Sequence, residues 1–213
     1  GWFSSLQCRR HGSAGILFTC VGKQGRPYAL LGQDHKKGNP WGPFWGRPDK
    51  DDRDAEWTAV RETLEESLGV IGDATLLYSA LKNEGFHYKL GTVNLFLVHL
   101  GVMGVRERDA IVERYAQARD ASLSKLTRCE AEVLAVQWVD MSDMYKQLMK
   151  GKGEKSDTVK LRGFFRRELV RAMEVDPVMQ GFCEKQGIAL RPLSELVQGS
   201  ESENTQKWNS APV

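Results

Sequence analysis

The sequence lacks any apolar run that approaches the roughly 18 residues needed to cross a bilayer, so we expect no membrane partner. Cysteine is scarce, and the four cysteines form no C-x-x-C pair and stand apart from any histidine cluster. This argues against a zinc site or a disulfide framework and favours a reducing compartment. A strong excess of one charge is also absent, and a net charge of +2 does not by itself indicate a nucleic-acid partner. No internal repeat is present.

The length and composition fit one domain with a proper core. A chain of 213 residues, 41% apolar and 27% charged, is ordinary for a soluble globular protein. The last stretch, from about residue 199, is polar and without periodicity, so we expect it to be flexible or ordered only by a partner. We divide the chain into an N-terminal extension, residues 1–13, one domain, residues 14–175, and a C-terminal segment, residues 176–213. The domain contains an insertion at 106–126 and a basic helical part at 143–175.

The start of the chain bears on location. Its first dozen residues include Arg9 and Arg10 but no acid, a composition similar to the end of an organelle-targeting segment. We expect the mitochondrial matrix or the cytoplasm.

The most informative stretch is 41–70, and within it one helix is well specified. Asp54 is a plausible N-cap, and Gly69 suits the position just after the helix end. Between them, apolar residues recur at helical spacing and give the helix a face to bury. That predicted stripe is Trp57, Val60, Leu64 and Leu68.

Three glutamates on this helix are related as i, i+3 and i+4, so they fan across one face. Glu62, Glu65 and Glu66 would repel one another unless a cation lay between them. Crowded carboxylate oxygens suit Mg²⁺ or Mn²⁺, which predicts a metal site with these three ligands. The alternative is that they form only the solvated face of a helix.

Other segments predict the fold class. Residues 14–21 and 28–33 predict two strands joined by a Gly- and Pro-rich turn, and 74–81 and 87–102 predict two more, joined by a turn at 83–85. A strand pair, a helix and a further strand pair predict an α+β fold, a mixed sheet with helices covering its faces. Residues 106–126 suit a helix that docks through Ile111, Tyr115 and Ala118.

The order Gly, spaced acids, Arg61-Glu62-x-x-Glu65-Glu66 and a closing Gly resembles the signature of the Nudix hydrolases. The match has departures: Asp52 stands where the first glutamate of that signature would be, one extra residue precedes Arg61, and two residues separate Glu66 from Gly69. The resemblance implies a Nudix-type mixed sheet sandwiched between helices. It also implies hydrolysis of a diphosphate linkage with Mg²⁺ or Mn²⁺.

The preceding loop, residues 41–52, is similar to a loop of messenger-RNA decapping enzymes and their diphosphoinositol-phosphate relatives. Arg47 and Lys50 are then candidate phosphate contacts. Trp41 and Trp45 would stack on a base or anchor the loop. The resemblance implies an RNA 5′ end, with a triphosphate or cap, or a small nucleotide or diphosphoinositol compound as substrate.

Catalytic roles follow from the same resemblance. Residues 130–140 resemble the strand that follows the substrate loop, and Glu132 falls about where the family often has a general base or additional metal ligand. Glu65 and Glu132 are the candidates for the base, and Arg61 would orient the glutamates. The other interpretation of Glu132 is an acid at a strand end, solvated by water.

A basic segment follows, in which 143–150 and 158–173 suit helices. Cations with interleaved aromatics would suit an RNA chain, whereas an ordinary amphipathic helix would bury Leu161 and Phe165 and leave its cations solvated. The C-terminal region is the candidate surface for an RNA-binding protein partner. A Nudix-fold RNA-binding scaffold without turnover is the competing hypothesis. The cations of the segment are Lys150, Lys152, Lys155, Lys160, Arg162, Arg166, Arg167 and Arg171.

Overall fold

A mixed β-sheet organises the computed structural model of this protein, which describes residues 12–83, 86–122, 124–127, 130–144, 160–163, 165, 166, 180, 181 and 184. The sheet has seven strands, five of them in the order β3-β2-β1-β6-β5, with β4 paired to β1 and β7 paired to β2. The strands are β1 Ser13–Gly22, β2 Pro27–Asp34, β3 Trp41–Gly42, β4 Phe44–Gly46, β5 Phe86–Leu90, β6 Val93–Met103 and β7 Val133–Asp140.

Strand β1 lies at the centre of the sheet. It runs parallel to β6 and antiparallel to both β2 and β4. Gly15 allows the close approach of β4, since a Cβ at position 15 would lie 2.2 Å from the Trp45 Cβ. The loop that follows β4 therefore begins directly against the centre of the sheet.

Three helices of ten residues or more lie in the described ranges: α1 Ala55–Ser67, α2 Ala74–Asn83 and α3 Val105–Ser122. Helix α1 packs on β1 and β4, α2 packs on α1, and α3 packs on β7. Ile16 and Phe18 of β1 belong to the core beneath them, while Leu17 and Leu97 point to the opposite face and are also buried. The predicted α+β fold with a mixed sheet is confirmed.

Helix α1 begins and ends as predicted. The Asp54 carboxylate accepts a hydrogen bond from the Trp57 N–H at 2.7 Å, and Leu68 and Gly69 both have positive φ angles, of 55° and 69°. The predicted apolar stripe needs one correction. Val60 is buried, whereas Trp57 lies beside Tyr78, with 5.5 Å between ring centroids.

Two strand predictions were wrong in detail. Residues 74–81 belong to helix α2, because Leu77 and Leu81 bury one face at i, i+4 spacing and the Asp73 carboxylate accepts from the Leu76 N–H. The predicted strand 87–102 is two strands, β5 and β6, joined by a hairpin turn at residues 91 and 92. Of the predicted turn at 83–85, residue 83 ends α2, and 84 and 85 lie outside the described residues.

Helix α3 docks through two of the three predicted residues. Ile111 and Tyr115 are buried, and the Tyr115 hydroxyl donates to the Val133 carbonyl at 2.7 Å, whereas Ala118 is only partly buried. None of the helices in the described ranges is long and apolar enough to span a membrane.

Most of the basic segment, including 145–159, lies outside the described residues. Residues 160–162 are extended and not helical as predicted, since the Trp41 N–H donates to the Lys160 carbonyl and the Arg162 N–H donates to the Trp41 carbonyl. This pairing extends the sheet at β3 and brings position 162 towards α1. Leu161 and Phe165 are buried, as expected for an ordinary amphipathic segment.

Candidate active site

A cavity of about 510 Å³ opens between α1, β4 and residue 162. Its size is that of a pocket for a small molecule or a nucleotide-sized group. Its charged lining consists of three acids, Glu62, Glu66 and Glu132, called the acidic wall below, and three cations, Lys36, Arg47 and Arg162, called the basic wall. Ser13, Trp45, Gly46 and Val93 complete it.

Glu66 is the most deeply buried acid of the cavity, with 3% of its surface exposed. One carboxylate oxygen accepts a hydrogen bond from the Trp45 N–H at 2.9 Å. Burial, with the nearby charges of Glu62 and Glu132, raises the pKa of Glu66 to about 8, although Arg162 and the Trp45 N–H act in the opposite direction. The carboxylate therefore has too little positive charge around it to compensate for its burial.

Glu62 lies one turn before Glu66 on α1 and reaches the same cavity over Gly46. A Cβ at position 46 would lie 2.0 Å from the Glu62 Cδ, so glycine leaves the space that this carboxylate occupies. Burial raises the pKa of Glu62 to about 6 despite the neighbouring Arg61. Both carboxyl groups therefore favour the protonated form more than an ordinary glutamate does, and a cation between them would favour ionisation.

Arg61 forms hydrogen bonds to acids of α1 and of the loop that precedes it. Its guanidinium donates to both oxygens of Asp52, to Glu62 at 2.8 Å and to Glu65 at 3.2 Å. It also donates to the Arg47 carbonyl at 2.7 Å, which fixes the preceding loop. The predicted role of Arg61 in orienting the glutamates remains a prediction, and these contacts support it.

The three helix glutamates do not all line the cavity in this structure. Glu65 pairs with Arg61 and does not line the cavity. Within the described residues, no three acidic, histidine or cysteine side chains are grouped so that they could hold a metal ion. Glu62 and Glu66 nevertheless fit a hard divalent cation, because they offer carboxylate oxygens in a buried, electron-rich setting. Mg²⁺ or Mn²⁺ binding by Glu62, Glu65 and Glu66 stays a prediction, which the cavity supports most directly for Glu62 and Glu66.

The basic wall includes two residues that the sequence interpretation did not single out as site residues, Lys36 and Arg162. Both pair with the buried Asp34: the Lys36 Nζ lies 3.1 Å and the Arg162 Nε 3.5 Å from the same carboxylate oxygen. Burial opposes ionisation of Asp34, but the Lys36 N–H and the charge of Arg162 outweigh it and lower its pKa. No local motif indicates this group, because Asp34 and Arg162 are far apart along the chain.

The remaining predicted site residues are divided between the cavity and its surroundings. Glu132, Arg47 and Trp45 line the cavity, whereas Trp41 and Lys50 do not. Trp41 pairs through its backbone with residues 160–162, which supports the anchor interpretation over base stacking. Lys50 is exposed in the loop before α1.

Comparisons with known proteins give only distant similarities. No family model and no curated protein matches the chain. Among solved structures, a complex of the C. elegans Ap4A hydrolase is 18% identical, with a TM-score of 0.39 over 76% of this chain and 96% of that one. A Nudix hydrolase from M. smegmatis, RenU, is 16% identical, with a TM-score of 0.38 over 80% and 91% of the two chains.

A Nudix hydrolase from Alicyclobacillus acidocaldarius is 15% identical, with a TM-score of 0.32 over 66% of this chain and 83% of that one. Similarity at this level does not assign the chain to a family. Its function is therefore argued from the residues of the cavity.

Proposed function

We propose that this protein is a divalent-metal-dependent hydrolase of a phosphoanhydride linkage. The observation that supports this best is that three acids, Glu62, Glu66 and Glu132, and three cations, Lys36, Arg47 and Arg162, line one cavity. A diphosphate needs both walls: cations for its oxygens and carboxylates for a metal ion that bridges to it. The resemblance of 41–70 to the Nudix signature points to the same chemistry.

The acidic wall would hold Mg²⁺ or Mn²⁺ through Glu62 and Glu66. The ion would supply Lewis-acid polarisation of a phosphoryl group and neutralise charge on the leaving phosphate. Arg61, through its hydrogen bond to Glu62, is a positioning residue that holds this carboxylate at the cavity.

Glu132 is the better candidate for the general base. It lines the cavity, and its charge acts on Glu66, whereas Glu65 is paired with Arg61. Hydrolysis forms a bond between the oxygen of water and one phosphorus atom and breaks the bond from that phosphorus to the bridging oxygen. Glu132 would accept the proton of the attacking water, and the bridging oxygen would leave with the other phosphate.

An RNA 5′ end, with a triphosphate or a cap, is the substrate we propose. Trp45 and Arg47 belong to the loop that is similar to that of decapping enzymes, and both line the cavity. The chain also distantly resembles the kinetoplastid mitochondrial edited-mRNA stability factor, which would imply an RNA-binding protein partner at the C-terminal region and a mitochondrial location. Small nucleoside-diphosphate or diphosphoinositol compounds are the alternative substrates.

The experiment is a release assay with purified protein, Mg²⁺ or Mn²⁺, RNA labelled at its 5′ γ-phosphate or cap, and a panel of free nucleotides and diphosphoinositol compounds. Wild-type protein should release label from RNA, and Glu132→Gln should lower the rate about 100- to 10,000-fold. The exposed control Glu113→Gln should keep the wild-type rate. Hydrolysis of free compounds alone would overturn the RNA proposal. RNA binding without any hydrolysis would instead support the scaffold hypothesis.

A further inference from the structure

The C-terminal half of the chain contributes a cation to the cavity. Residues 160–162 pair with Trp41 through two backbone hydrogen bonds, of 2.7 and 2.8 Å, and this pairing places Arg162 at the cavity wall. This position of Arg162 requires a residue without a side chain at position 42 of β3. A Cβ there would lie 2.7 Å from the Arg162 Cδ and 3.1 Å from its Nε. Gly42 thus leaves the space that the Arg162 side chain occupies.

The Arg162 side chain is buried and incompletely satisfied. The residue is 8% exposed, and its guanidinium carbon lies 6.0 Å from the centre of the Trp45 ring. Its Nε is buried, and within the described residues it has no hydrogen-bond partner, since Asp34 lies at 3.5 Å in an ion pair only. A buried guanidinium N–H without a hydrogen-bond partner costs free energy, so Asp34 does not fully compensate the burial of Arg162.

The charges around Arg162 also indicate an anionic ligand. The Asp34 carboxylate is shared by two cations, Lys36 and Arg162, and both cations line the cavity. Arg162 also acts on the charge of Glu66, so Asp34 is not its only acidic neighbour. With a divalent cation on Glu62 and Glu66, as proposed above, the three cations of the lining would outnumber its remaining acid, Glu132. Guanidinium groups present several donors in a plane and match phosphate oxygens.

We propose that Arg162, with Lys36, binds a phosphate group of the substrate. This deepens the proposed function, on which it rests, by making residues 160–162 part of the binding site. The ligand class is a compound with two or more linked phosphates, as in the proposed function, because one cavity is lined by cations that suit phosphoryl oxygens and by acids that suit a metal ion bridging to them. The pairing of 160–162 with Trp41 is what sets the position of the guanidinium.

The test is a titration of methylene diphosphonate, a non-hydrolysable diphosphate, into the full chain by calorimetry, with and without Mg²⁺. We expect Arg162→Gln to weaken binding about 10- to 100-fold, as for loss of a charged hydrogen bond. Gly42→Ala should weaken it as well while keeping every charge, because it displaces Arg162. Gly163→Ala is the matched control: a Cβ there meets nothing within 4 Å, so binding should be unchanged.

Folding is controlled separately, because Arg162→Gln deprives the buried Asp34 of an ion pair. If that variant does not fold, the double variant Asp34→Asn, Arg162→Gln and the Gly42→Ala variant replace it. A melting curve of each variant would establish that it is folded at the temperature of the binding assay. Weaker binding both in a folded Arg162 variant and in Gly42→Ala supports the proposal. Absent wild-type binding, unchanged binding in a folded Arg162 variant, or equal binding by Gly42→Ala and Gly163→Ala overturns it. Because binding is measured without turnover, either result can occur whether or not the protein hydrolyses the substrates above.

Discussion

Both oxygens of the Asp52 carboxylate accept hydrogen bonds from the guanidinium of Arg61, from its Nε at 3.1 Å and from a terminal nitrogen at 3.0 Å. Asp52 also accepts from the Thr58 hydroxyl and the Asp49 N–H, and only 1% of its side chain is exposed. Asp52 therefore fastens the loop before α1 to the helix through Arg61. In this structure the contacts of Asp52 hold the loop and orient Arg61.

Replacing Asp52 should loosen that loop. We expect Asp52→Asn to lower the free energy of unfolding by about 2 kcal/mol, since Arg61 keeps its glutamate partners but loses its best-buried one. Chemical denaturation with a fluorescence readout would measure this. The neighbouring, exposed Asp51→Asn is the control and should change stability little. Equal stability of the two variants would show that the Asp52–Arg61 pair does not hold the loop.

Asp34 should make the protein sensitive to acid. Its pKa lies below the ordinary value of 3.8, so the folded state holds this proton less tightly than the unfolded chain does. The resulting stabilisation is complete above about pH 4 and is lost as the pH falls through the folded-state pKa. Melting temperatures measured from pH 5 to 2 should therefore fall less steeply for Asp34→Asn than for wild type. Parallel curves would contradict the pairing of Asp34 with Lys36 and Arg162.

The two cavity glutamates should matter more for metal binding than Glu65. Glu66 is buried in the acidic wall, whereas Glu65 is held outward by Arg61. We expect Glu66→Gln to weaken Mn²⁺ binding at least about 10-fold and Glu65→Gln to weaken it less. Electron paramagnetic resonance of free Mn²⁺ in a titration gives both constants. A larger loss with Glu65→Gln would mean that the side chain swings into the cavity when metal binds.

The contact between Gly46 and Glu62 predicts a functional effect of a single added methyl group. A Cβ at position 46 would overlap the Glu62 carboxylate, which is the end of a flexible side chain and can move aside. Gly46→Ala should therefore fold but lower kcat by about 100-fold, the scale for a misplaced catalytic group. Steady-state kinetics alongside a melting curve would measure this. Unchanged kcat in a folded variant would remove Glu62 from the machinery.

Local signals in the sequence predicted the elements that depend on local chemistry. Helix α1 was located by its caps, and the Asp54 hydrogen bond to the Trp57 N–H is the cap that the sequence indicated. Helix α2 was mistaken for a strand because its apolar residues are dense enough to suit either element. The Asp73 cap and the i, i+4 spacing of Leu77 and Leu81 were the signals that would have identified it.

The parts of the site that depend on tertiary pairing could not be found in this way. Arg162 belongs to a run of cations for which the sequence alone favours a solvated face. Its backbone pairing with Trp41 and its ion pair with Asp34 place its side chain at the cavity. The separation of Glu65 from Glu62 and Glu66 is likewise set by Arg61 and its loop partners. Helical spacing alone places all three glutamates on one face.

The most direct test of the central hypothesis compares wild type with Glu66→Gln for Mg²⁺-dependent release of phosphate or pyrophosphate from 5′-triphosphorylated RNA and free nucleotides. Matched melting temperatures and circular dichroism would establish that both proteins fold. The proposed site predicts metal-dependent release by wild type that falls by orders of magnitude in the variant. Release that is equal in the two proteins, or absent from wild type with every substrate, would contradict a hydrolytic site built on the acidic wall of this cavity.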